Sequence, residues 1–524
     1  MKKNLVSKLI ALVSCLLIVV AIVLNNKVGQ YLALAGATAL FVLTIIKWVV
    51  PEKKNMLFKI LVTLGLYLFV LTWIIPSAAA NGTTISQKEI YRMSLYSVLE
   101  YPWLTVQYFL QQLLFIAAVG GFYGILRETG KYRSLLETIA KSMKGKETVF
   151  LVAVSFVLAA LSSVFGLNLY LFIFIPALAG IILLMGYDKI TAFAVTFIAP
   201  LIGVIGATYN DVVVYYINQV LATEYTTEIV AKIGLFVLAF VVFMTFVLKH
   251  AKESKSKANE LTEKVELFLG EKKASKKSAA AIIVLFSCIF VLLILGYTNW
   301  SRIFGVEVFN DFYKTITEWT VRESTIVAYI LGELKAFGTW QYEQFTVLLL
   351  LASILLSVIY RLRLEDALKA FGRGIARLAK PLLVFVAAYT IVVIIAYHPI
   401  IVFLTDKLVK IAGTHTGILG DILFIVVSTL NTVFSTVFNI DILYMVQSTV
   451  PYLNAYYANS TDSLAVITQS VYGLTSMIAP TSILLVLGLE YLEIPYKDWL
   501  KSSWKMILSL LAIILVVICV VVFI

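Results

Sequence analysis

The polar side chains that could do chemistry in this 524-residue chain lie inside long apolar segments. Residues 162–168 read SSVFGLN, and a similar pattern returns at residues 435–441 as STVFNID. Hydroxyl groups in such surroundings usually satisfy backbone groups or join helices. A carboxylate such as that of Asp441 is costly in a membrane and is therefore usually functional. The repetition indicates one polar site that is built from two similar halves.

Polar residues gather at four points, two in each half of the chain, and these points coincide with predicted helix breaks. At such breaks free carbonyl groups can bind a small cation, while the N-terminal ends of half-helices favour a substrate carboxylate. We expect contacts to a small-molecule substrate from Ser162, Ser163, Asn168, Asn210, Asp211, Asn431, Ser435, Asn439, Asp441 and Thr481. Because a hard cation prefers oxygen ligands, we place a candidate Na⁺ site at Ser163, Thr208, Asn210, Ser435, Thr481 and Ser482.

The candidate segments carry acidic residues but no basic ones. Lys and Arg are absent from residues 190–231 and 411–496, whereas Asp211 and Asp441 lie within these ranges. The two carboxylates suit an ammonium group, a guanidinium group, Na⁺ or a proton. A second interpretation places Asp211 near the outer surface, where its side chain is solvated and has a structural role.

Other kinds of chemistry have no matching pattern in the sequence. The three histidines and the three cysteines show neither metal-ligand spacing nor a disulfide framework. The chain contains no Walker loop, HExxH motif or nucleophile elbow. We therefore predict that the protein is not an enzyme and has no cofactor besides the candidate coupling ion, Na⁺. Without a nucleotide site, any transport by this chain would be driven by gradients.

The composition predicts a protein that crosses a membrane many times. Hydrophobic residues make up 61% of the chain, charged residues make up 14%, and the mean hydropathy is +0.95. A soluble protein cannot bury so much apolar surface. The net charge of +12 gathers in loops, which does not suggest binding of nucleic acid. Because short loops rich in Lys and Arg stay inside, we place the N-terminus in the cytoplasm and the protein in the cell membrane, surrounded by lipid.

The order of the segments predicts an all-α polytopic fold with about 11 transmembrane helices, the first near residues 7–25. Two apolar segments interrupted by polar residues indicate re-entrant hairpins at about 148–186 and 418–452. The halves match element for element with opposite orientation, as in an inverted-topology repeat. The predicted organisation is an extra N-terminal transmembrane helix at 1–29, repeat 1 at 30–249, a cytoplasmic basic linker at 250–279 and repeat 2 at 280–524.

Three stretches resemble a known family. They read GGFYGILRETGKY, GYDKITAFAVTFIAPLIGVIGATYN and SMIAPTSILLVLGLEYLEIPYKDWLK. These look like the YfcC-type carriers, which belong with the anaerobic C4-dicarboxylate carriers in the wider ion transporter superfamily. The similarity covers roughly residues 100–500. It implies an elevator-type carrier, commonly a homodimer, whose hairpin tips and helix breaks form the site, and it allows C4-dicarboxylates, amino acids or related carboxylates as substrates.

We therefore expect a secondary active transporter of a small charged metabolite. A basic amino acid such as arginine or ornithine, moved by exchange or uptake, fits best. Half-helix N-termini can take its α-carboxylate, and Asp441 and Asp211 can take its cationic end. One alternative is a Na⁺-coupled carrier of C4-dicarboxylates or other carboxylates. An alternative of another class is an ion channel, because polar hairpins also line pores.

Overall fold

The computed structural model describes residues 27–51, 55–82, 84–87, 90–255, 278–320, 325–332, 334–413, 417–457 and 460–523, with the single residues 14 and 269. The helix predicted near residues 7–25 lies outside these ranges except for Ser14, and so does most of the predicted basic linker at 250–279. The described chain is mainly helical. A helix suits a chain in lipid because it satisfies its own backbone hydrogen bonds.

The first part of the chain contains helices and one β-hairpin. Its elements are α1 (Lys27–Thr44), α2 (Met56–Ile74), β1 (Ala78–Asn81), β2 (Thr84–Gln87), α3 (Leu95–Tyr108), α4 (Leu110–Glu128), α5 (Tyr132–Ser142), α6 (Glu147–Phe165), α7 (Ile175–Leu184), α8 (Lys189–Ile205), α9 (Val213–Leu221) and α10 (Ile229–Lys255). Helix α1 continues as a π-helical turn at Ile45–Val49, and a second π-helical turn lies within α8 at Ala194–Ile198.

The second part of the chain is helical throughout its described elements. These are α11 (Ala280–Tyr297), α12 (Trp300–Phe304), α13 (Val308–Glu318), α14 (Ile326–Leu331), α15 (Tyr342–Ile359), α16 (Leu364–Arg377), α17 (Ala379–Tyr397), α18 (Ile400–Ala412), α19 (Ile418–Phe438), α20 (Ile442–Ser448), α21 (Val450–Tyr456), α22 (Thr461–Ser476), α23 (Ile483–Tyr491) and α24 (Tyr496–Phe523). The first two turns of helix α24 carry polar side chains, and the rest of the helix is the last apolar run of the chain.

Ten helices in the described ranges are long and apolar enough to cross a membrane. They are α1 with its continuation, α2, α4, α6, α10, α11, α15, α17, α19 and α24. The prediction of a helical protein with many membrane spans is thereby confirmed. The structure also contains short elements for which there was no sequence prediction, namely the β-hairpin, α9, α12 to α14 and α16. Their sequences mix polar, aromatic and apolar residues and lack the long apolar run of a spanning helix.

Both segments predicted as re-entrant hairpins are helices interrupted where polar residues gather. We call residues 162–168, at the end of α6 and just beyond it, the first tip. Residues 435–441, at the end of α19 and just beyond it, are the second tip. Two further interruptions separate α8 from α9 and α22 from α23. We call them the first junction, residues 206–212, and the second junction, residues 477–482.

The interruption in the first tip depends on a glycine. Gly166 follows the last residue of α6 and adopts a left-handed conformation with φ of 77°. A residue with a side chain is strained in this conformation. A Cβ atom at this position would also lie 2.9 Å from Oδ1 of Asn210. Gly166 therefore ends the helix and lets the first tip approach the first junction.

The same order of elements occurs in both parts of the chain. In the first part, α4 and α5 precede the first tip, and α8, the first junction, α9 and α10 follow it. In the second part, α17 and α18 precede the second tip, and α22, the second junction, α23 and α24 follow it. The short helices α5 and α18 occupy the same place in the two orders. Each tip is thus followed by its own junction in the same relative place.

The helices around the first tip pack closely because glycines lie at their contacts. Helix α8 packs against α6, and a Cβ atom on Gly203 of α8 would lie 2.1 Å from the carbonyl oxygen of Ala159. Helix α22 packs against α8, and a Cβ atom on Gly473 would lie 2.7 Å from the backbone nitrogen of Ile205. Only glycine permits such close approach of two backbones. The first tip is therefore fixed to helices from both parts of the chain.

Candidate functional site

The first tip is bound to the first junction by hydrogen bonds between buried groups. The Ser163 hydroxyl donates to the carbonyl oxygen of Gly206 over 2.7 Å, and the Thr208 backbone nitrogen donates to the carbonyl oxygen of Ser163 over 3.0 Å. The Asn210 amide nitrogen donates to the carbonyl oxygen of Ser162 over 2.8 Å. These bonds satisfy backbone groups that the two helix interruptions leave without a helical partner. The first tip and the first junction therefore form one unit.

Asn210 also organises the chain that follows it. Its side-chain oxygen accepts hydrogen bonds from the backbone nitrogens of Val212 at 2.9 Å and Val213 at 2.8 Å, where α9 begins. The side chain is fully buried. One amide thus joins the first tip, the first junction and α9.

The remaining polar side chains of the first tip are also paired within the protein. The Ser162 hydroxyl donates to the side-chain oxygen of Asn168. The Tyr297 hydroxyl, which comes from α11, donates to the carbonyl oxygen of Gly166 over 3.2 Å. The structure therefore brings Ser162, Ser163, Asn168, Thr208 and Asn210 together, as predicted from the sequence. Their substrate contacts stay a prediction.

The second tip is held to the second junction in a similar way. The Thr481 hydroxyl donates to the carbonyl oxygens of Val437 at 3.0 Å and Thr436 at 3.2 Å. The Asn439 side-chain oxygen accepts a hydrogen bond from the Asp441 backbone nitrogen over 2.9 Å. The Asp441 carboxylate accepts one from the Leu443 backbone nitrogen over 3.0 Å, so that it caps α20. Thr481, Asn439 and Asp441 thus lie at one place.

The second tip differs from the first because some of its buried polar atoms have no hydrogen-bond partner in the described protein. These atoms are Ser435 Oγ, Asn439 Nδ2 and, on the neighbouring helix α22, Thr468 Oγ1. Most buried polar groups in proteins are paired, so unpaired ones require an explanation. Donors and acceptors that a bound ligand would satisfy are one explanation. Of the two tips, the second is the one that contains unpaired polar atoms among the described residues, and their role in binding stays a prediction.

The two halves adjoin through α22 and α9. The Gln469 side chain on α22 donates to the carbonyl oxygen of Ala207 in the first junction over 2.8 Å. The Tyr472 hydroxyl, also on α22, donates to the carbonyl oxygen of Ile440 in the second tip over 3.0 Å. Helix α9, which follows the first junction, packs against α20, which follows the second tip. Gln469 and Tyr472 were not predicted as site residues, because they lie inside helix α22 and not at a predicted helix break.

Asp211 is paired with a basic residue from a distant segment. Its carboxylate lies 3.1 Å from the Arg302 guanidinium and accepts a hydrogen bond from the Tyr225 hydroxyl over 3.1 Å. The segments around the two tips contain no basic residue, and this one comes from outside them. Arg302 lies on α12, which was not predicted as an element. The charge of Asp211 is therefore compensated within the protein.

Asp441, in contrast, is not a member of any ion pair found among the described residues. Other buried or half-buried aspartates do form ion pairs, among them Asp188, Asp211 and Asp406. Asp441 is partly buried, and its carboxylate accepts backbone hydrogen bonds at the start of α20. Its negative charge is thus the one that a cationic group could meet at the second tip.

Two predicted residues have distinct surroundings. Asn431 lies one turn before the second tip, where it accepts a hydrogen bond from the Thr405 hydroxyl at 2.6 Å and donates one to the Thr449 hydroxyl at 3.1 Å. Its side chain therefore joins α18, α19 and the start of α21. Ser482 is the residue before α23, is buried, and makes no side-chain capping bond to that helix. The role of both in binding stays a prediction.

The start of α8, at the other end of this helix from the first junction, is held by the carboxylate of Asp188. Asp188 caps α8 by accepting from the Thr191 backbone nitrogen over 2.9 Å, and it lies 2.9 Å from the His250 ring. Burial by itself raises the pKa of Asp188, but hydrogen bonds from His250 and Thr191 bring the pKa below its ordinary value. Asp188 is therefore ionised at neutral pH and holds the start of α8 in place.

The oxygen atoms at the two tips suit an alkali cation better than a transition metal. In the part of the chain that the structure describes, no group of three or more His, Cys, Asp or Glu side chains is placed to hold a metal ion. The predicted Na⁺ ligands Ser163, Thr208 and Thr481 already bond to backbone carbonyl groups, whose other lone pairs are also oxygen donors. Ser435 Oγ is available without breaking any described bond.

Comparison with known proteins gives a family match over most of the chain. The family model described as C4-dicarboxylate anaerobic carrier, DcuC, matches residues 40–524. A protein of Escherichia coli (strain K12) named "Putative basic amino acid antiporter YfcC" is 26% identical over 165 residues. This match spans 31% of the present chain and 32% of the relative, so it covers about a third of that relative's length.

Two solved structures are similar to the chain at low sequence identity. The YdaH transporter of Alcanivorax borkumensis is 13% identical, with a TM-score of 0.41 over 88% of this chain and 97% of that chain. MtrF of Neisseria gonorrhoeae is 12% identical, with a TM-score of 0.38 over 88% of this chain and 94% of that chain.

Proposed function

The chain belongs to the C4-dicarboxylate anaerobic carrier family, and from this membership we propose that it is a secondary active transporter of a small charged metabolite. The family resemblance predicted from the sequence is confirmed, and the protein is a multi-span membrane transporter. We favour a basic amino acid such as arginine or ornithine as its substrate, moved by exchange or uptake.

The polar environment of the second tip carries this choice of substrate. Asp441 has no ion-pair partner among the described residues, and the nearby Asn439 Nδ2 and Ser435 Oγ are buried without a hydrogen bond. A cationic end group would be attracted by Asp441, whereas a second carboxylate would meet a like charge. The α-carboxylate would receive hydrogen bonds from Asn439 and from the N-terminal end of α23. The name of the E. coli relative points to the same class of substrate.

Transport of C4-dicarboxylates is the second candidate, because the description of the family names this substrate. A dicarboxylate would be held by the Asn439 amide, by hydroxyl groups, by helix ends and by Na⁺, with Asp441 protonated or turned away. The two candidates differ in the charge that the second tip must accept. A variant that changes the charge of Asp441 alone therefore separates them.

We propose that transport uses an elevator-type movement of two inverted repeats, in a homodimer that lies in the cell membrane with its N-terminus in the cytoplasm. The common order of elements in the two parts supports the repeat. The hydrogen bonds between each tip and its junction support their movement as one unit. Such a unit would carry a bound substrate across without dismantling the site.

Counterflow in proteoliposomes tests the class and the substrate. Vesicles that contain the purified protein and unlabelled arginine should accumulate external labelled arginine in a saturable manner, whereas single-channel currents would identify a channel. We expect Asp441→Asn to reduce arginine uptake at least about tenfold, the effect of losing one charge-assisted contact.

The matched control for this experiment is Asp421→Asn, which changes an acidic residue in the first turn of the same helix, α19. Its arginine uptake should equal that of the wild type. Uptake of succinate or malate without uptake of arginine, ornithine or lysine would replace our substrate by the second candidate. Full arginine uptake by Asp441→Asn would keep the substrate and remove Asp441 from the site.

Na⁺ coupling is a separate proposal with its own measurement. We expect replacement of external Na⁺ by choline to slow the initial uptake severalfold, since the oxygen atoms of the two tips suit a hard cation. Ser435→Ala should weaken the dependence on Na⁺ with little loss of stability, because Ser435 Oγ makes no described hydrogen bond. Ser428→Ala, which removes another unpaired hydroxyl two turns earlier on α19, is the control. Equal rates in Na⁺ and choline would remove the coupling ion.

A further inference from the structure

Arg302 binds to the first junction through the two kinds of contact that recognise a guanidinium group. Its Nη1 atom lies 3.1 Å from Asp211 Oδ1 and 3.4 Å from Asp211 Oδ2. Its Cζ atom lies 3.9 Å from the centre of the Tyr215 ring. A carboxylate combined with an aromatic face suits the flat, delocalised cation of arginine better than the compact ammonium group of lysine.

The receiving groups are held in place by the protein independently of Arg302. The Tyr225 hydroxyl donates to Asp211 Oδ1 over 3.1 Å and thereby orients the carboxylate. The Tyr225 ring stacks on the Tyr209 ring at 6.0 Å between centroids. Tyr215 belongs to α9, which the Asn210 side chain anchors at its start. We call Asp211, Tyr215 and Tyr225 the guanidinium cradle.

Arg302 enters this cradle from the surface. Its side chain is 40% exposed, whereas that of Asp211 is 13% exposed. It lies on the five-residue helix α12, which is capped by Asn299 and attached by the Trp300 indole, a donor to the carbonyl oxygen of Leu295. The guanidinium end of this pair is in contact with solvent, and the Tyr225 hydroxyl still holds the Asp211 carboxylate when Arg302 turns away. Arg302 can therefore leave the cradle without disturbing the core around the first tip.

We propose that the guanidinium cradle is an entry site for the substrate and that Arg302 is a tethered competitor which occupies it until a substrate guanidinium takes its place. This inference rests on the proposed function, because it assigns the cationic end of the substrate a first contact next to Asn210. The substrate displaces Arg302 from Asp211 and Tyr215 and then passes to the second tip. Arg302 thereby sets the concentration of substrate at which entry begins.

Titration calorimetry with guanidinium chloride tests the cradle directly. The purified Arg302→Ala protein should bind guanidinium at millimolar concentration, and the wild type should bind it about tenfold more weakly because Arg302 competes. The double variant Arg302→Ala with Asp211→Asn should lose this binding. Potassium chloride at the same concentration controls for ionic strength. A folded Arg302→Ala protein that binds guanidinium no better than the wild type would overturn the proposal.

Counterflow gives the second readout. Arg302→Ala should lower the KM for external arginine about tenfold, whereas Lys314→Ala, which removes an exposed basic residue of the nearby helix α13, should leave it unchanged. If Arg302→Ala does not fold, Arg302→Gln replaces it in both experiments. An unchanged KM in the folded variant would refute competition. Guanidinium binding to the cradle without arginine transport would refute the proposed substrate and leave the cradle intact, so the two failures are distinct.

Discussion

Asn210→Ala is expected to abolish transport while the protein still inserts into the membrane. The substitution leaves the carbonyl oxygen of Ser162 and the backbone nitrogens of Val212 and Val213 without their partner. A buried polar group that loses its partner is destabilised by about 1–3 kcal/mol. The first tip would then separate from the first junction, and substrate counterflow should fall at least about a hundredfold, since about 2.7 kcal/mol corresponds to that factor.

The contribution of each bond can be separated by a second variant. Asn210→Asp keeps an oxygen that can accept from Val212 and Val213 but removes the donor to Ser162. We expect it to retain α9 and to lose the connection to the first tip, with an intermediate effect on counterflow. Asn310→Ala, on α13, changes a side chain whose described bond is to Glu307 and serves as the control. Counterflow at the wild-type level in Asn210→Ala would show that the connection is not required.

Gly203→Ala is expected to have the second-largest effect, through packing rather than hydrogen bonding. The new methyl group would lie 2.1 Å from the carbonyl oxygen of Ala159 and 3.0 Å from Cβ of Ser162. Helices α6 and α8 would have to separate, and Ser162 would move with α6. Overpacking of this kind destabilises a protein by about 1–3 kcal/mol. We expect a lower melting temperature in detergent and a loss of counterflow.

A matched glycine elsewhere provides the control for Gly203→Ala. Gly234 lies on α10, and a Cβ atom there would have no heavy atom within 4 Å. Gly234→Ala should keep the melting temperature or raise it, because alanine favours a helix over glycine by about 1 kcal/mol. Equal melting temperatures for the Gly203 and Gly234 variants would mean that α6 and α8 can separate freely at this contact.

The sequence contained enough information to locate the two tips but not their neighbours. Ser162, Asn168, Asn439 and Asp441 stand out because polar residues interrupt long apolar runs, and that contrast is visible without a structure. The junctions are recognisable for the same reason. Each of these features depends on residues that are close together in the chain, where the pattern of polarity predicts local structure directly.

The partners that determine how these residues are used come from distant segments. Arg302 pairs with Asp211 across 91 residues, and Gln469 reaches Ala207 across 262 residues. No periodic pattern predicts such contacts, because they depend on how the helices pack. Asn431 illustrates the same limit, since its polarity stands out in the sequence while its partners Thr405 and Thr449 are known only from the structure.

The unequal pairing of the two tips has a consequence for the order in which the protein loosens. In the first tip each polar group described above already has a partner in the protein. The first tip therefore keeps its hydrogen bonds when no ligand is bound. In the second tip, Ser435 Oγ and Asn439 Nδ2 gain partners only from outside the described protein. A ligand that supplies them stabilises this segment by mass action, and its departure frees the segment for local unfolding. Backbone amides around residues 435–441 should therefore exchange with solvent faster than those around residues 162–168, and occupancy of the site should slow only the former.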